Sequence, residues 1–357
     1  MRTLRFLADA NDPESRGSRE AIAQAAEILR SGGTVAFPTE TVYGLGANAL
    51  SAEAVAKIFA AKGRPAWDPL IVHVGDPRLL RAVAQEIPDN AQRLIDVFWP
   101  GPLTLLLPKA SEIPEIVTSG LPRVGVRMPA HPVAQALLRA ANVPVAAPSA
   151  NTFGHVSPTR ADHVAEDLDG RIDAILDGGE TTHGVESTVA DVSERGCTIY
   201  RPGVITLEQM RAVCVGEVRL RGAEAGGVDS EGRDPVAGAA SPGLALRHYA
   251  PRARLVLIDG EGEEQKAAFG AAARACEEAG EALGLMLPDA FQNAVIGRKA
   301  RVWRWGSWND DEELAQRLFA GLRWLDNGGV TAIVCPLPPP RGIAIAIRDR
   351  LRKAARR

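Results

Sequence analysis

The sequence predicts two domains: first an α/β or α+β domain whose sheet has irregular topology, then a smaller domain on a parallel sheet. Three observations predict this. The chain has 357 residues, more than one ordinary domain needs. Apolar strand-like runs and helical periodicities are mixed at spacings too uneven for a regular βαβ repeat. From Arg221 to Gly243 the composition shifts to Gly, Ala, Asp and Glu without apolar periodicity, which is how a flexible linker reads.

The first helix is expected from Ser18 as N-cap, through Ala21, Ile22, Ala25, Ala26, Ile28 and Leu29, to a stop at Ser31-Gly32-Gly33. A strand follows at Thr34 to Phe37, and Pro38 to Gly46 reads as strand exit and loop, because Pro38, Gly44 and Gly46 punctuate it. Ser51 caps a second helix with Val55, Ile58 and Phe59 on one face, ending at Lys62-Gly63-Arg64-Pro65, and Leu70 to Val74 is the next strand. Further strands are expected at 103–107, 124–127, 144–147, 172–176 and 187–192, with helices near 90–98, 131–141 and 159–166. Beyond the composition shift, 254–258, 283–287 and 330–335 read as buried strands alternating with helices at 262–279, 309–325 and 343–356. The last segment alternates like a strand at 343–347, yet it also places Ile343, Ile347 and Leu351 on one helix face, which favours a helix.

A net charge of −3 gives no global attraction to a phosphate backbone, so nucleic-acid binding would need a local patch. The four cysteines, Cys197, Cys214, Cys276 and Cys335, are far apart and show neither a disulfide framework nor zinc-ligand spacing, as expected of a reducing cytoplasm. No stretch of about 18 uncharged apolar residues exists to span a membrane.

Lys62 and Arg64 flank Gly63 at a helix end, where two cations can reach one polyanion and the glycine lets backbone approach. A solvated helix C-terminus whose dipole favours cations explains the same pair. Pro148-Ser149-Ala150-Asn151 follows an apolar run and so places a hydroxyl and an amide at a strand end, where α/β sheets put ligands; an ordinary turn or helix cap reads the same way. Arg123 and Arg127 flank one short strand and Arg201 ends another, positions from which a guanidinium can grip carboxylate or phosphate. Thr41, Ser187 and His73, the last inside an apolar run, complete the polar set, although a histidine within a strand is commonly a satisfied core residue. No P-loop, dinucleotide fingerprint, HExxH or GxSxG stands in a fitting context.

The motifs PTETVYGLG, KGRP, DPLIVHV, WPGPLTLLL, VGVRMP, PSAN, GVESTV and YRPG follow one another in the order of the threonylcarbamoyl-AMP synthase family, the YrdC-like domain. With Ser241-Pro242-Gly243 and His248-Tyr249-Ala250-Pro251 behind them, the chain resembles the long two-domain subfamily. The resemblance implies a twisted open mixed α/β sheet around a concave basic cavity, plus a smaller Rossmann-like C-terminal α/β domain. It implies a catalytic domain over 1–215, a linker and possible active-site lid over 216–251, and the C-terminal domain over 252–357. The family's catalytic tetrad falls on Lys62, Arg64, Ser149 and Asn151. ATP contacts carry over to Arg64, Asp68, Arg123, Ser149, Ser157, Arg201 and Tyr249, and threonine contacts to Thr41, His73, Arg127, Ala147 and Ser187. Asp68 stands where the family often has Asn, and Arg123 where a smaller polar residue is usual.

The implied reaction joins L-threonine, bicarbonate or CO₂ and ATP into L-threonylcarbamoyladenylate with release of pyrophosphate, for N6-threonylcarbamoyladenosine at position 37 of tRNA. Mg²⁺ would come with ATP rather than on fixed protein ligands, and no tightly bound organic cofactor is implied. The product would pass to a tRNA threonylcarbamoyl transferase in the cytoplasm, with at most a weak tRNA contact and no membrane. Two other readings are an RNA- or nucleotide-binding module without this chemistry and a carbamoyl-transfer module for another acceptor. The net charge opposes the first, and the absence of acylphosphatase or zinc-finger segments opposes the second.

Overall fold

A computed structural model describes residues 2–221, 248–295 and 297–356. Of the expected linker and possible lid over 216–251, residues 222–247, with Ser241-Pro242-Gly243, lie outside the described residues. The described chain clusters into two compact units, one of residues 2–153, 158–182 and 186–221, the other of 154–157, 183–185 and the residues from 248 onward.

The first unit runs β1 (Leu4–Leu7), α1 (Arg16–Arg30), β2 (Val35–Phe37), β3 (Gly44–Asn48), α2 (Ala52–Lys62), β4 (Ile71–His73), α3 (Asp89–Phe98), β5 (Leu103–Pro108), α4 (Glu115–Thr118), β6 (Arg123–Arg127), α5 (Pro132–Ala141), β7 (Val145–Ala146), α6 (Ala161–Leu168), β8 (Ala174–Asp177), β9 (Thr188–Ser193), β10 (Gly196–Arg201), α7 (Leu207–Val213) and β11 (Glu217–Leu220). Eleven strands form one mixed sheet in the order β1-β8-β2-β3-β7-β4-β6-β5-β9-β10-β11. Neighbours are parallel at β1–β8, β8–β2, β4–β6, β5–β9 and β10–β11, and antiparallel elsewhere.

Side-chain alternation sorts the two faces of this sheet. Val35, Phe37, Val145, Ala174 and Leu176 point to one core, where Ala21, Ile22, Ala25, Ala26 and Leu29 of α1 meet Val133, Ala134, Leu137 and Leu138 of α5. Ala36, Val72, Leu103, Leu105, Val124, Val126, Ala146, Ala190 and Val192 point to the other core, under α2, α3 and α6. Full burial of each such Leu, Ile or Val contributes about 1.5–3 kcal/mol, so neither face can slip by one residue. Along β4, β6, β5 and β9 the alternate positions are different in kind. Beside a small apolar cluster of Ile71, Leu106 and Val189, they are His73, Arg123, Gly125, Arg127, Thr104 and Asp191.

Several elements differ from expectation. Helix α1 begins earlier, because Ser15 is its N-cap and accepts from the Ser18 amide at 3.3 Å; Ser18 instead accepts from the Asp9 amide at 2.9 Å. The segment read as a loop after Pro38 becomes β3 from Gly44 onward. Residues 217–220, expected within the linker, form β11 in the sheet of the first unit, where Val218 pairs with Cys197.

The second unit holds β12 (Arg254–Ile258), α8 (Gly262–Glu278), β13 (Leu283–Pro288), β14 (Arg301–Gly306), α9 (Asp311–Asn327), β15 (Ala332–Pro336) and α10 (Ala344–Ala355). Its four strands, in the order β12-β15-β13-β14, are all parallel. Phe269, Ala273 and Cys276 of α8 cover Leu283, Leu285, Ala332 and Val334 on one face. On the other, Gly321 of α9 lies so close to Met286 that an added Cβ would stand 2.9 Å from its sulfur. The ambiguous last segment is helix α10, with Ile347 and Leu351 buried.

Candidate active site

Three strand neighbours put the central residues in a row. In the parallel β4–β6 pair His73 is opposite Arg127, and in the antiparallel β5–β6 pair Leu105 is opposite Val126, which brings Thr104 alongside Arg127. Thr104 is opposite Val189 in the parallel β5–β9 pair, and its hydroxyl lies 2.8 Å from that of Ser187, just before β9. Gly203 holds Ser187 in place by close approach, since a Cβ there would stand 2.3 Å from the Thr188 nitrogen. Arg201, at the end of β10, donates to the Ser187 carbonyl at 3.0 Å and to its hydroxyl at 3.1 Å.

Arg127 is buried. Its Nε donates to the Gly101 carbonyl at 3.2 Å, its Nη1 to the Thr41 hydroxyl at 2.9 Å, and its Nη2 stands 2.6 Å from a carboxylate oxygen of Glu40. The Thr41 hydroxyl also meets that of Thr39 at 2.8 Å. Burial alone would raise the Glu40 carboxyl, but the charge and hydrogen bond of Arg127 hold it below the ordinary carboxylate range. His73 is buried edge-on to Phe37, and among the described residues its Nδ1 has no hydrogen-bond partner. Burial first, and the Arg127 charge second, push this imidazole down to about 3, so it is neutral at physiological pH.

A second group forms around the end of α2. Gly63 ends the helix at φ 64°, in the left-handed region where a Cβ is strained, and this turn directs Lys62 and Arg64 to one neighbourhood. The Lys62 ammonium donates to the Ser149 carbonyl at 2.6 Å and to that of Asn151. The turn that carries Ser149 is also laced to β3, through a bridge between Gly44 and Ser149 and a bond from the Leu45 amide to Pro148 at 2.8 Å. Arg64 donates to the carbonyls of Asp68 at 3.0 Å and Pro69 at 2.7 Å, pairs with the Asp68 carboxylate at 2.9 Å, and lies 5.8 Å from the Phe153 ring centre. Arg123, half-buried, pairs with Asp191 at 2.9 Å.

Thus Lys62, Arg64, Asp68, Ser149 and Asn151 gather at the α2 end, and Thr41, His73, Arg127, Ser187 and Arg201 at the row on the sheet. Ala147 donates its amide to Ile71 at 2.8 Å, with its methyl in the core under α1 and α5. Ser157 and Tyr249 belong to the second unit, where the Tyr249 ring is stacked 5.7 Å from Phe319 and has Arg350 at 5.2 Å. Among the described residues Arg64, Arg123 and Arg127 each carry a carboxylate partner, whereas Lys62 and Arg201 donate to carbonyls.

Comparison with known proteins adds to this geometry. Residues 27–203 match a family model described as "Telomere recombination", and residues 205–356 one described as "Threonylcarbamoyl-AMP synthase, C-terminal domain". The chain is 43% identical to the threonylcarbamoyl-AMP synthase of Pyrococcus abyssi over 93% of each sequence. The chain belongs to the threonylcarbamoyl-AMP synthase family. The family's member from Bacillus subtilis is 42% identical over 99% of this chain and 98% of its own. A crystal structure of Pyrococcus abyssi Sua5 complexed with L-threonine superposes with a TM-score of 0.88 at 42% identity, covering 99% of this chain and 98% of that one.

Glu40 and Thr104 are site residues that the sequence reading passed over. Each lay inside a motif quoted for the family, PTETVYGLG and WPGPLTLLL. The available signal was chemical: Arg127 on a buried strand requires a counter-charge, and Thr104 is the polar exception in an apolar run.

Proposed function

We propose that this protein makes L-threonylcarbamoyladenylate from L-threonine, bicarbonate or CO₂ and ATP, releasing pyrophosphate. Family membership along nearly the whole chain supports the reading, as does the L-threonine bound to the Pyrococcus abyssi relative. The observation that carries it is the row of neutral His73, Arg127 and the Thr104–Ser187 hydroxyl pair, a donor set suited to a small amino acid. Arg127 would take the carboxylate, and the His73 Nδ1 would find its partner on the substrate.

The threonine amine adds to CO₂ to give N-carboxy-threonine, losing a proton to water. That carboxylate attacks the α-phosphorus of ATP; a new P–O bond forms as the bond to the pyrophosphate oxygen breaks. The residues' contribution is positioning and charge matching, and such alignment can supply about 7–11 kcal/mol. Arg64 and Arg201 would face the polyphosphate, Lys62 would brace the turn presenting Ser149 and Asn151, and Arg123 would stand at the edge of the nucleotide. Asp68, Glu40 and Asp191 are each paired with an arginine, a poor donor set for a resident divalent cation. Mg²⁺ would come with the triphosphate and would supply charge neutralisation there. The product would go to a transferase acting on tRNA, and its place of synthesis would be the cytoplasm; among the described residues no helix is long and apolar enough to cross a membrane. The domain limits 1–215 and 252–357 belong to the same proposal, amended by the placing of 217–220 in the first unit.

Incubation of the purified protein with ATP, Mg²⁺, L-threonine and ¹³C-bicarbonate, followed by mass spectrometry, tests this. A labelled threonylcarbamoyl-adenylate is expected. Unlabelled AMP or ADP as the only nucleotide product would overturn the reading.

A further inference from the structure

We propose that Glu40 is a positioning residue for the amino-acid substrate, holding the plane of the Arg127 guanidinium so that its remaining N–H groups meet the substrate carboxylate. The inference rests on the reading that Arg127 takes that carboxylate.

A guanidinium has five N–H groups. Nε donates to the Gly101 carbonyl and one N–H of Nη1 to the Thr41 hydroxyl, while Nη2 is held beside the Glu40 carboxylate as an ion pair at 2.6 Å; the N–H groups that remain on the two terminal nitrogens are enough for a bidentate carboxylate. Glu40 is itself fixed. Its second oxygen accepts from the Ala130 amide at 3.0 Å, and its backbone carbonyl from the Thr182 hydroxyl at 3.2 Å. Three backbone segments therefore meet at Glu40: the PTET turn that carries it, the residues just after β6 at its carboxylate, and the chain near Thr182 at its backbone carbonyl. This differs from the Arg64–Asp68 pair, whose members are four residues apart on one stretch of chain. The Glu40 side chain is 7% exposed and that of Arg127 is 4% exposed, so solvent cannot stand in for either partner.

A buried ion pair can also be purely structural, and replacing it is sometimes neutral. A structural role would change stability, or both substrates' KM values, together. A positioning role changes threonine alone. Pyrophosphate release by the full chain is to be measured with threonine varied at saturating ATP, then ATP varied at saturating threonine, for wild type, Glu40→Gln, Glu40→Asp, Arg127→Met and the Glu40→Gln/Arg127→Met double variant. The expected result for Glu40→Gln is a threonine KM raised at least about tenfold, an ATP KM within about twofold of wild type, and little further loss when combined with Arg127→Met. Glu40→Asp keeps the charge one methylene short and is expected to raise the threonine KM less. Should Glu40→Gln fail to fold, the Glu40→Asp split between the two KM values decides the matter. The proposal is overturned by an unchanged threonine KM, by equal rises for both substrates, or by additive losses in the double variant. An Arg127→Met variant with normal threonine KM would instead overturn the underlying assignment of Arg127.

Discussion

The two sheets teach different things because they are covered differently. In the second unit β13 (LGLMLP) and β15 (AIVCP) are buried along their whole length, with helices on both faces, and they read as continuous apolar runs. In the first unit β4, β5, β6 and β9 are nearly as buried, yet the alternate positions on one face mix apolar Ile71, Leu106 and Val189 with polar His73, Thr104, Arg127 and Asp191, which interrupt the runs of Val and Leu. Burying such groups is costly unless they are paired or bound, so the interrupted strands mark where a ligand or counter-charge is required. The uninterrupted strands mark only a core.

The largest test of this contrast is Arg127→Met. It is expected to lower threonine-dependent pyrophosphate release at least about a hundredfold and, by stranding Glu40, to cost about 3–5 kcal/mol of stability in denaturant melts. Leu285→Ala in β13, fully buried in the other sheet, should cost about 2–5 kcal/mol in the same melts while leaving both KM values within about twofold of wild type. Lys62→Met removes a charged donor from the Ser149 and Asn151 carbonyls, the first of which keeps the Asn151 amide at 3.0 Å, and each lost bond costs about 1.5–3 kcal/mol. In initial-rate kinetics it should raise the ATP KM more than the threonine KM.

Acidification probes His73. Its folded value of about 3 lies below the ordinary 6.5, so between those limits the unfolded chain binds a proton that the native state refuses. The contribution is fully present above pH 6.5 and is lost as pH falls toward 3, with a slope of at most about 1.4 kcal/mol per pH unit. Urea melts of His73→Gln across that window should show a correspondingly shallower slope. The smallest effect is expected from Ser187→Ala, which loses the contacts to Thr104 and Arg201; about 1 kcal/mol in the threonine-dependent kcat/KM is expected, read from initial rates.

Most of the central strands and long helices could be read from the sequence, because their apolar spacing survives the interruptions. Edges were harder. β1 (LRFL), β11 (EVRL) and β14 (RVWRWG) each put charged residues among apolar ones, since an edge strand is partly exposed, and none of the three is assigned as a strand from the sequence. Helix α7 was also passed over, although Thr206 and Gln209 form a capping box at its start. Within the site, cations and hydroxyls stood out in the motifs, whereas Glu40 did not. Its meaning depends on Arg127, 87 residues away, and only the sheet brings the two together.

The most direct measurement is pyrophosphate release from ATP and Mg²⁺ by wild type, Arg127→Met and Leu285→Ala, with L-threonine and bicarbonate omitted in turn. Release that needs both compounds, collapses in Arg127→Met and persists in folded Leu285→Ala would place the chemistry on the interrupted strands. Release indifferent to threonine, or equally impaired by both substitutions, would contradict that account.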